Sequence, residues 1–396
     1  MISSRAYMLS VVLFLILPGY LSAIEVQERT NALVIGNALT IQSKILNEER
    51  PIWVYLPKDY KTSPNKKYPV LYMLDGAFHF HHITGAVDVL AERNRIPEMI
   101  VIAIPYIDYD RRDRDLSPSS VDGRPPVAAA DKFVAFLKEE LIPYTEKNYR
   151  TAAYRMLFGH SRAGIFSINT LIEKPNLFNA YFAISHDLSW DSRLLLKKTE
   201  AFSIEGPSFN RKLYVSAADG DHEDITTSVA AFVELLNEKD PTGLELNYSY
   251  LKNEDHGSIV HRVFYNNIEN LFSDWHLSSD KIEKMSFEKM KEYYGDLSTA
   301  FGYKMEVPTW AALTLAQGLI AKGENDNVRE VAQFILEQDP NEAQAHFTIG
   351  YIHLMNGELE LAKEKLETAK NLVDESNAYY RLYRAYLKQV SEQLGE

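Results

Sequence analysis

Phe158-Gly159-His160-Ser161-Arg162-Ala163-Gly164 is the stretch on which the reading of this chain turns. The apolar run Met156-Leu157-Phe158 leads into it, and 165–172 follows as a buried helix that must stop before Pro175. A strand, a tight turn carrying serine, then a helix is the setting of a nucleophile elbow, which lifts the hydroxyl above the sheet edge. Gly159 lets the backbone turn sharply, and the small Ala163 and Gly164 let helix and strand approach closely. The same turn aims the Arg162 amide at a substrate oxygen. Only the final glycine of the G-x-S-x-G pattern is replaced, by Ala163.

A short glycine-serine motif arises by chance, so its context decides. In this architecture the order along the chain is serine, acid, histidine. After an apolar strand at 213–217 comes Asp219-Gly220-Asp221-His222-Glu223-Asp224, a crowd of carboxylates at a strand's carboxyl end. Glu223 is the expected partner of the imidazole, with Asp221 and Asp219 as alternates; spacing alone does not choose among them. The expected base is His256, in Glu254-Asp255-His256-Gly257-Ser258, between the last strand and an amphipathic helix. His261, inside that helix, and His160, beside the serine, read as structural. An oxyanion formed at Ser161 needs two backbone donors. One is the amide of Arg162; the other is expected after the strand that ends in Asp75-Gly76, at Ala77. Phe78, next to it, is a candidate for the substrate pocket.

The rest of the chain supports an open α/β sheet. Patterned stretches at 38–45 and 52–56 read as antiparallel strands. Tyr68-Pro69-Val70-Leu71-Tyr72-Met73-Leu74-Asp75-Gly76, closed by its Asp-Gly, and 99–104 are unbroken apolar runs, and later strands are read at 180–185, 213–217 and 246–251. Continuous hydrophobicity implies strands covered on both faces, hence a parallel sheet flanked by helices. Helices are expected at 86–93 and 128–144. His79, His81 and His82 are spaced poorly for one metal and read as a polar lining of the cleft mouth. Arg111-Arg112-Asp113-Arg114-Asp115 reads as a solvated loop, with a role in shaping the cleft as the alternative.

Length and composition set the outer limits. With 396 residues, two folded units are the natural expectation. The formal net charge of −13 and the lack of a basic run disfavour nucleic acid as a partner. No cysteine is present, which excludes a thiol nucleophile and a disulfide framework. Residues 1–23 have a positive start at Arg5, an apolar centre and a small residue at Ala23, the pattern of a cleaved secretory signal. An uncleaved anchor is the alternative, and no other segment is expected to span a membrane. The mature protein is expected to be exported, periplasmic or secreted.

Taken together, 42–277 resembles the esterase family of α/β-hydrolases that includes enterochelin esterases, feruloyl esterases, S-formylglutathione hydrolase and the mycolyltransferases. The resemblance rests on 68–76, on Arg114-Asp115-Leu116-Ser117-Pro118, on Gly159-His160-Ser161-Arg162-Ala163-Gly164 and on His256-Gly257-Ser258. It implies an α/β-hydrolase fold with a mostly parallel sheet and a serine ester hydrolase, a reaction type but not a substrate. The reading as a whole is a cofactor-free, metal-free enzyme acting on a small-molecule or peptide-linked ester. The family's usual acid lies in a Gly-x-x-Glu or Gly-x-x-Asp pattern, which falls on Gly220 to Glu223. By the same resemblance Trp190 lines the acyl or alcohol pocket, or is a core residue. An acyltransferase with the same residues, or an idle esterase fold used as a scaffold, remain the competing readings.

Beyond 277 the composition shifts to Lys, Glu, Ala, Leu and Tyr. A helical linker is expected at 278–308, after a hydrolase domain at 24–277. Setting Ala316 against Gly350 places Val328 on Ala362, Ala332 on Leu366 and Ile335 on Ala369, the 34-residue period of tetratricopeptide-like repeats. Helices are expected at 345–355 and 359–373, with a closing helix at 377–393. These repeats, 309–396, would bind a protein partner or cover the hydrolase.

Overall fold

The computed structural model describes residues 34–120, 128–202 and 210–396. The expected signal segment, 1–23, lies outside them. Eight strands form one sheet in the order β1-β2-β4-β3-β5-β6-β7-β8. They are β1 (Asn37–Ser43), β2 (Glu48–Tyr55), β3 (Tyr68–Leu74), β4 (Ile100–Ile104), β5 (Thr151–His160), β6 (Ala180–Ile184), β7 (Arg211–Gly220) and β8 (Leu244–Asp255). The first two pair antiparallel, as does β2 with β4; every later pairing is parallel. Each residue of β3, β4 and β6 is buried, because helices cover both faces.

The flanking helices are α1 (Gly76–Glu92), α2 (Tyr109–Leu116), α3 (Ala130–Phe136), α4 (Ile142–Asn148), α5 (Arg162–Glu173), α6 (Trp190–Ala201), α7 (Glu223–Lys239) and α8 (Ile259–Leu271). A π-turn at Leu137–Leu141 joins α3 to α4. The first helix begins ten residues before the expected 86–93, because Asp75 takes a left-handed conformation (φ 53°) and starts it directly at the strand end. The expected solvated loop at 111–115 is instead helical. Asp108 caps α2 by accepting a hydrogen bond from the Arg111 amide at 2.8 Å.

One face of α2 is buried in an ionic network rather than in water. Arg50 (2% exposed) bonds Asp115 (1% exposed) at 2.8 Å and Glu48 at 2.9 Å. Arg114 bonds the same two carboxylates, each at 2.7 Å. Removing one member would strand a buried charge, typically at a cost of about 3–5 kcal/mol. The network ties α2 to β2 and holds it over the carboxyl end of the sheet.

The chain continues as α9 (Ser279–Ile282), α10 (Phe287–Phe301), α11 (Thr309–Lys322), α12 (Asn325–Gln338), α13 (Ala343–Met355), α14 (Leu359–Asn371) and α15 (Tyr380–Leu394). Helix α11 packs on α12 and α13 on α14, as the repeat predicts. All eight positions aligned by the 34-residue period are buried. A methyl at Gly350 would meet Leu366 Cγ at 3.0 Å, so the small residue does mark a close helix crossing. Among the described residues, no helix is long and apolar enough to cross a membrane.

No gap in the core accompanies the change of composition at 277. One hydrophobic cluster runs from Met73, Tyr154 and Phe158 through α8 to Tyr294, Leu315, Val331 and Ile352. Tyr154 of β5 packs tilted against Phe301 at 5.1 Å, while Phe301 stacks on Phe272 at 5.2 Å and His276 on Trp310 at 5.2 Å. Helices α10 and α11 therefore complete the outer layer over α8. Ending the chain at Leu277 should expose this aromatic seam and give aggregated protein, whereas ending it after Asn356, which keeps the whole cluster through Ile352, should leave a soluble protein with a cooperative melt. Comparing soluble yield and thermal unfolding of the two truncations tests this; equal behaviour would show that α10–α13 are dispensable.

Candidate active site

Ser161 sits between β5 and α5 with φ 58° and ψ −121°, a conformation that costs an L-residue about 1–3 kcal/mol. Its surroundings hold it there. The Ser161 amide donates to the Ile184 carbonyl at 2.9 Å, and its carbonyl accepts from the Gly164 amide at 2.9 Å. The expected role of Gly159 as the turning residue passes to Ser161 itself. Gly159 instead allows contact: a methyl there would lie 2.1 Å from the Ala163 carbonyl oxygen. At Gly164 a methyl would meet His186 Cβ at 2.8 Å. Ala163 is fully buried and is accommodated where the pattern has glycine.

Strand β8 runs to Asp255 and delivers His256 over this turn. His256 Nε2 lies 3.0 Å from Ser161 Oγ, and His256 Nδ1 lies 2.8 Å from Asp221 Oδ1. The expectation that Glu223 faces the imidazole is corrected: Asp221 does. Asp221 closes a tight turn at the end of β7 that carries its side chain inward. Its Oδ2 accepts the Ala218 amide at 2.8 Å and the Ser185 hydroxyl at 2.7 Å. Burial alone would raise the Asp221 carboxyl, but the bonds from His256, Ala218 and Ser185 outweigh it and hold it below its ordinary value. Glu223 is the exposed first residue of α7 and, among the described residues, has no hydrogen bond or ion pair with His256. Asp219 is also exposed and accepts the Asn253 amide at 3.1 Å. The alternation of a strand end followed by a helix start separates these carboxylates, and only Asp221 lands inside.

The amides of Arg162 and Ala77 lie in the first turns of α5 and α1, where helix geometry offers no intrahelical acceptor. Both helices start at carboxyl ends of neighbouring strands, β5 and β3. The start of α1, which bears Ala77, is pinned by Asp75, which receives two hydrogen bonds of 2.7 Å from Arg112. Thus Arg112, read at first as part of a solvated loop, braces the helix start that offers the candidate oxyanion donor. Phe78 is 55% exposed and its ring lies 5.4 Å from Tyr106, so it stands at the cleft mouth rather than in a closed pocket. Trp190 is half-buried at the start of α6, with the Arg162 guanidinium 4.0 Å above its ring. Ser185 was not foreseen as part of the site, and Arg112 falls under the alternative reading of 111–115, a role in shaping the cleft. The one available signal for each was its place just past a strand end.

The histidines form a stack beneath the site. His160 donates from Nε2 to the His256 carbonyl at 2.7 Å, and its ring packs 4.8 Å from that of His256 and 5.4 Å from that of His79. His79 Nδ1 and His82 Nε2 are 3.0 Å apart. His79 is therefore buried rather than a polar lining of the mouth. Among the described residues, no group of three or more His, Asp or Glu is arranged to hold a metal ion. Burial, aided by neighbouring imidazoles, pushes His79 down to about 3 and His82 and His160 to about 4.

These groups stay neutral in the fold while the unfolded chain takes up protons below its ordinary value of 6.5. Their lowered values mean that stability is full above about pH 6.5 and falls as the pH drops toward about 4. Melting temperatures across this range should decline, and His79→Leu with His82→Leu should make the decline shallower; an unchanged slope would refute it. His160→Phe keeps the ring but loses the donor that holds the His256 carbonyl, whereas His160→Gln keeps an N–H near the same place. Turnover should fall about tenfold or more in the first and be partly restored in the second, given the usual cost of losing an orienting hydrogen bond; equal losses would deny the donor any part.

The family described as "Putative esterase" matches residues 43–244. Ferri-bacillibactin esterase BesA of Bacillus subtilis is 27% identical over 254 residues, covering 58% of this chain and 88% of its own length. The crystal structure of an IroE-like serine hydrolase from Shewanella oneidensis superposes with a TM-score of 0.64 at 26% identity, over 75% of this chain and 97% of that one. An uncharacterised protein from Capnocytophaga ochracea shares the fold over 90% of this chain and 99% of its own, with a TM-score of 0.62 at 14% identity, so its likeness takes in C-terminal helices as well. With the elbow, the strand order and the family match in agreement, this chain belongs to the esterase family of α/β-hydrolases.

Proposed function

We propose that the protein is an exported serine hydrolase that cleaves a carboxylic ester through an acyl-enzyme on Ser161. The observation that carries this reading is the unbroken line Asp221–His256–Ser161, with contacts of 2.8 and 3.0 Å, ending on the left-handed serine. His256 takes the Ser161 proton as the hydroxyl attacks the ester carbonyl, then gives it to the departing alcohol. Asp221 fixes the imidazole with Nδ1 protonated and stabilises its cationic form. The amides of Arg162 and Ala77 receive the oxyanion, and each such donor is worth about 3–4 kcal/mol in the transition state. Water, activated by the same imidazole, releases the acid.

The substrate class of this reading is a small-molecule ester of the siderophore type, supported by relatives that include a siderophore triacetylfusarinine C esterase of Aspergillus fumigatus and a siderophore enterobactin esterase of Emericella nidulans. Export to the periplasm or medium is supported by the apolar, positively started segment 1–23. The C-terminal helices act first as cover for the hydrolase, supported by the shared core. A protein partner is left to the outer pair, α14 and α15.

Short-chain 4-nitrophenyl esters provide the test. Ser161→Ala and His256→Ala should each lower kcat by about 10³-fold or more, as in other enzymes where these groups act as a unit. Asp221→Asn should cost about 10²- to 10⁴-fold, while Glu223→Gln should stay within about threefold of the parent. Turnover that survives Ser161→Ala would overturn the reading, and the opposite ranking of the two acids would return the role to Glu223.

A further inference from the structure

Arg162 follows the serine directly, and its side chain is placed unlike those of the other arginines around the cleft. Arg112 is closed by two hydrogen bonds to Asp75. Arg114 and Arg50 are each shared between Glu48 and Asp115, and Arg111 contacts Asp108 and Glu48. Among the described residues Arg162 has, as polar partners, one ion contact, from Nε to Asp113 Oδ1 at 3.2 Å, and one hydrogen bond, from Nη1 to Ser117 Oγ at 3.3 Å. Its Nη2 has no hydrogen-bond acceptor among the described residues. Asp113 is itself 40% exposed and is shared with Arg112 at 3.9 Å, so the pair is weak in the way exposed pairs are. Burial, with Arg112 adding repulsion and Asp113 opposing, pulls Arg162 down from its ordinary value.

The guanidinium is nevertheless held still. It lies 4.0 Å over the Trp190 ring, which fixes its plane at little further entropic cost. Its side chain is partly open to solvent (22%) between α2 and α6, at the carboxyl end of the sheet where Ser161 stands. A flat, preoriented fork with unused donors, one residue from the reacting hydroxyl, matches the geometry of a carboxylate.

We propose that the Arg162 side chain, backed by Trp190, binds an anionic oxygen pair on the substrate, so that the enzyme prefers esters carrying a carboxylate or similar planar oxyanion close to the scissile bond. This rests on the proposed serine esterase activity and adds the charge of its substrate. The substrate anion displaces the single-pronged Asp113 contact and accepts two parallel hydrogen bonds. A purely structural role, in which Arg162 only ties α2 to α6, predicts no dependence on substrate charge.

The test measures kcat/KM for a neutral ester, 4-nitrophenyl butyrate, against two anionic ones, mono-4-nitrophenyl glutarate and 4-acetoxybenzoate. These carry the charge on the acyl and on the alcohol side respectively. For at least one anionic ester, Arg162→Gln should lower the anionic-to-neutral ratio about tenfold, chiefly through KM, and Arg162→Lys should restore part of it. Asp113→Asn, which frees the fork, should raise the same ratio, and added salt should lower it in the parent. Should Arg162→Gln fail to fold, Asp113→Asn and the salt series decide. Ratios that none of these changes moves would overturn the proposal while leaving the esterase reading intact; hydrolysis of the neutral ester that persists in Ser161→Ala would overturn the esterase reading instead.

Discussion

The close approach of β5 and α5 at Ser161 is the constraint on which the rest of the site depends. Two glycines without room for a methyl, Gly159 and Gly164, let the strand and helix meet at backbone distance. That contact forces the residue between them into a left-handed conformation, and Ser161 is held there by the Ile184 carbonyl and by the first turn of α5. The hydroxyl is thereby raised above the sheet edge, and the start of α5 is brought beneath the place where a substrate oxygen would rest. Strain of about 1–3 kcal/mol at one residue is offset by the packing on both sides.

Around this point, position is set by buried charge. Asp221 takes its place because three donors converge on it, from Ser185 just past β6, from Ala218 of β7 and from the imidazole. Asp75 holds the start of α1 because Arg112 reaches back to it from α2, and α2 is itself anchored by the Arg50–Asp115–Arg114–Glu48 network. Buried ion pairs of this kind contribute little net stability, but breaking one is costly, so they determine placement more than they add strength. Among the described residues, the same arrangement leaves Arg162 with unfilled donors beside the serine.

The helical segment belongs to the same physical unit. Aromatic contacts from Tyr154 through Phe272 and Phe301 carry the core of the sheet into α10, and from there to α11–α13. The 34-residue period reported helix pairing correctly, because it reflects small residues at crossings such as Gly350 against Leu366. It carried no information on where the first pair docks.

What the sequence by itself determined is local and periodic: the apolar strands at 68–76, 99–104 and 180–185, the serine turn, the paired C-terminal helices, and Ser161 and His256 as residues of interest. These follow from patterns within a few residues of each other, such as continuous hydrophobicity or glycine beside serine. The three-dimensional fold alone decided which carboxylate meets the imidazole. Glu223 and Asp221 are two residues apart, and the turn at the end of β7 buries one and exposes the other. It also decided that Arg111 to Asp115 form a helix tied down by Arg50 and Glu48, partners more than sixty residues away. Contacts of that range leave no trace in local spacing, since charged residues read alike whether water or a distant opposite charge surrounds them.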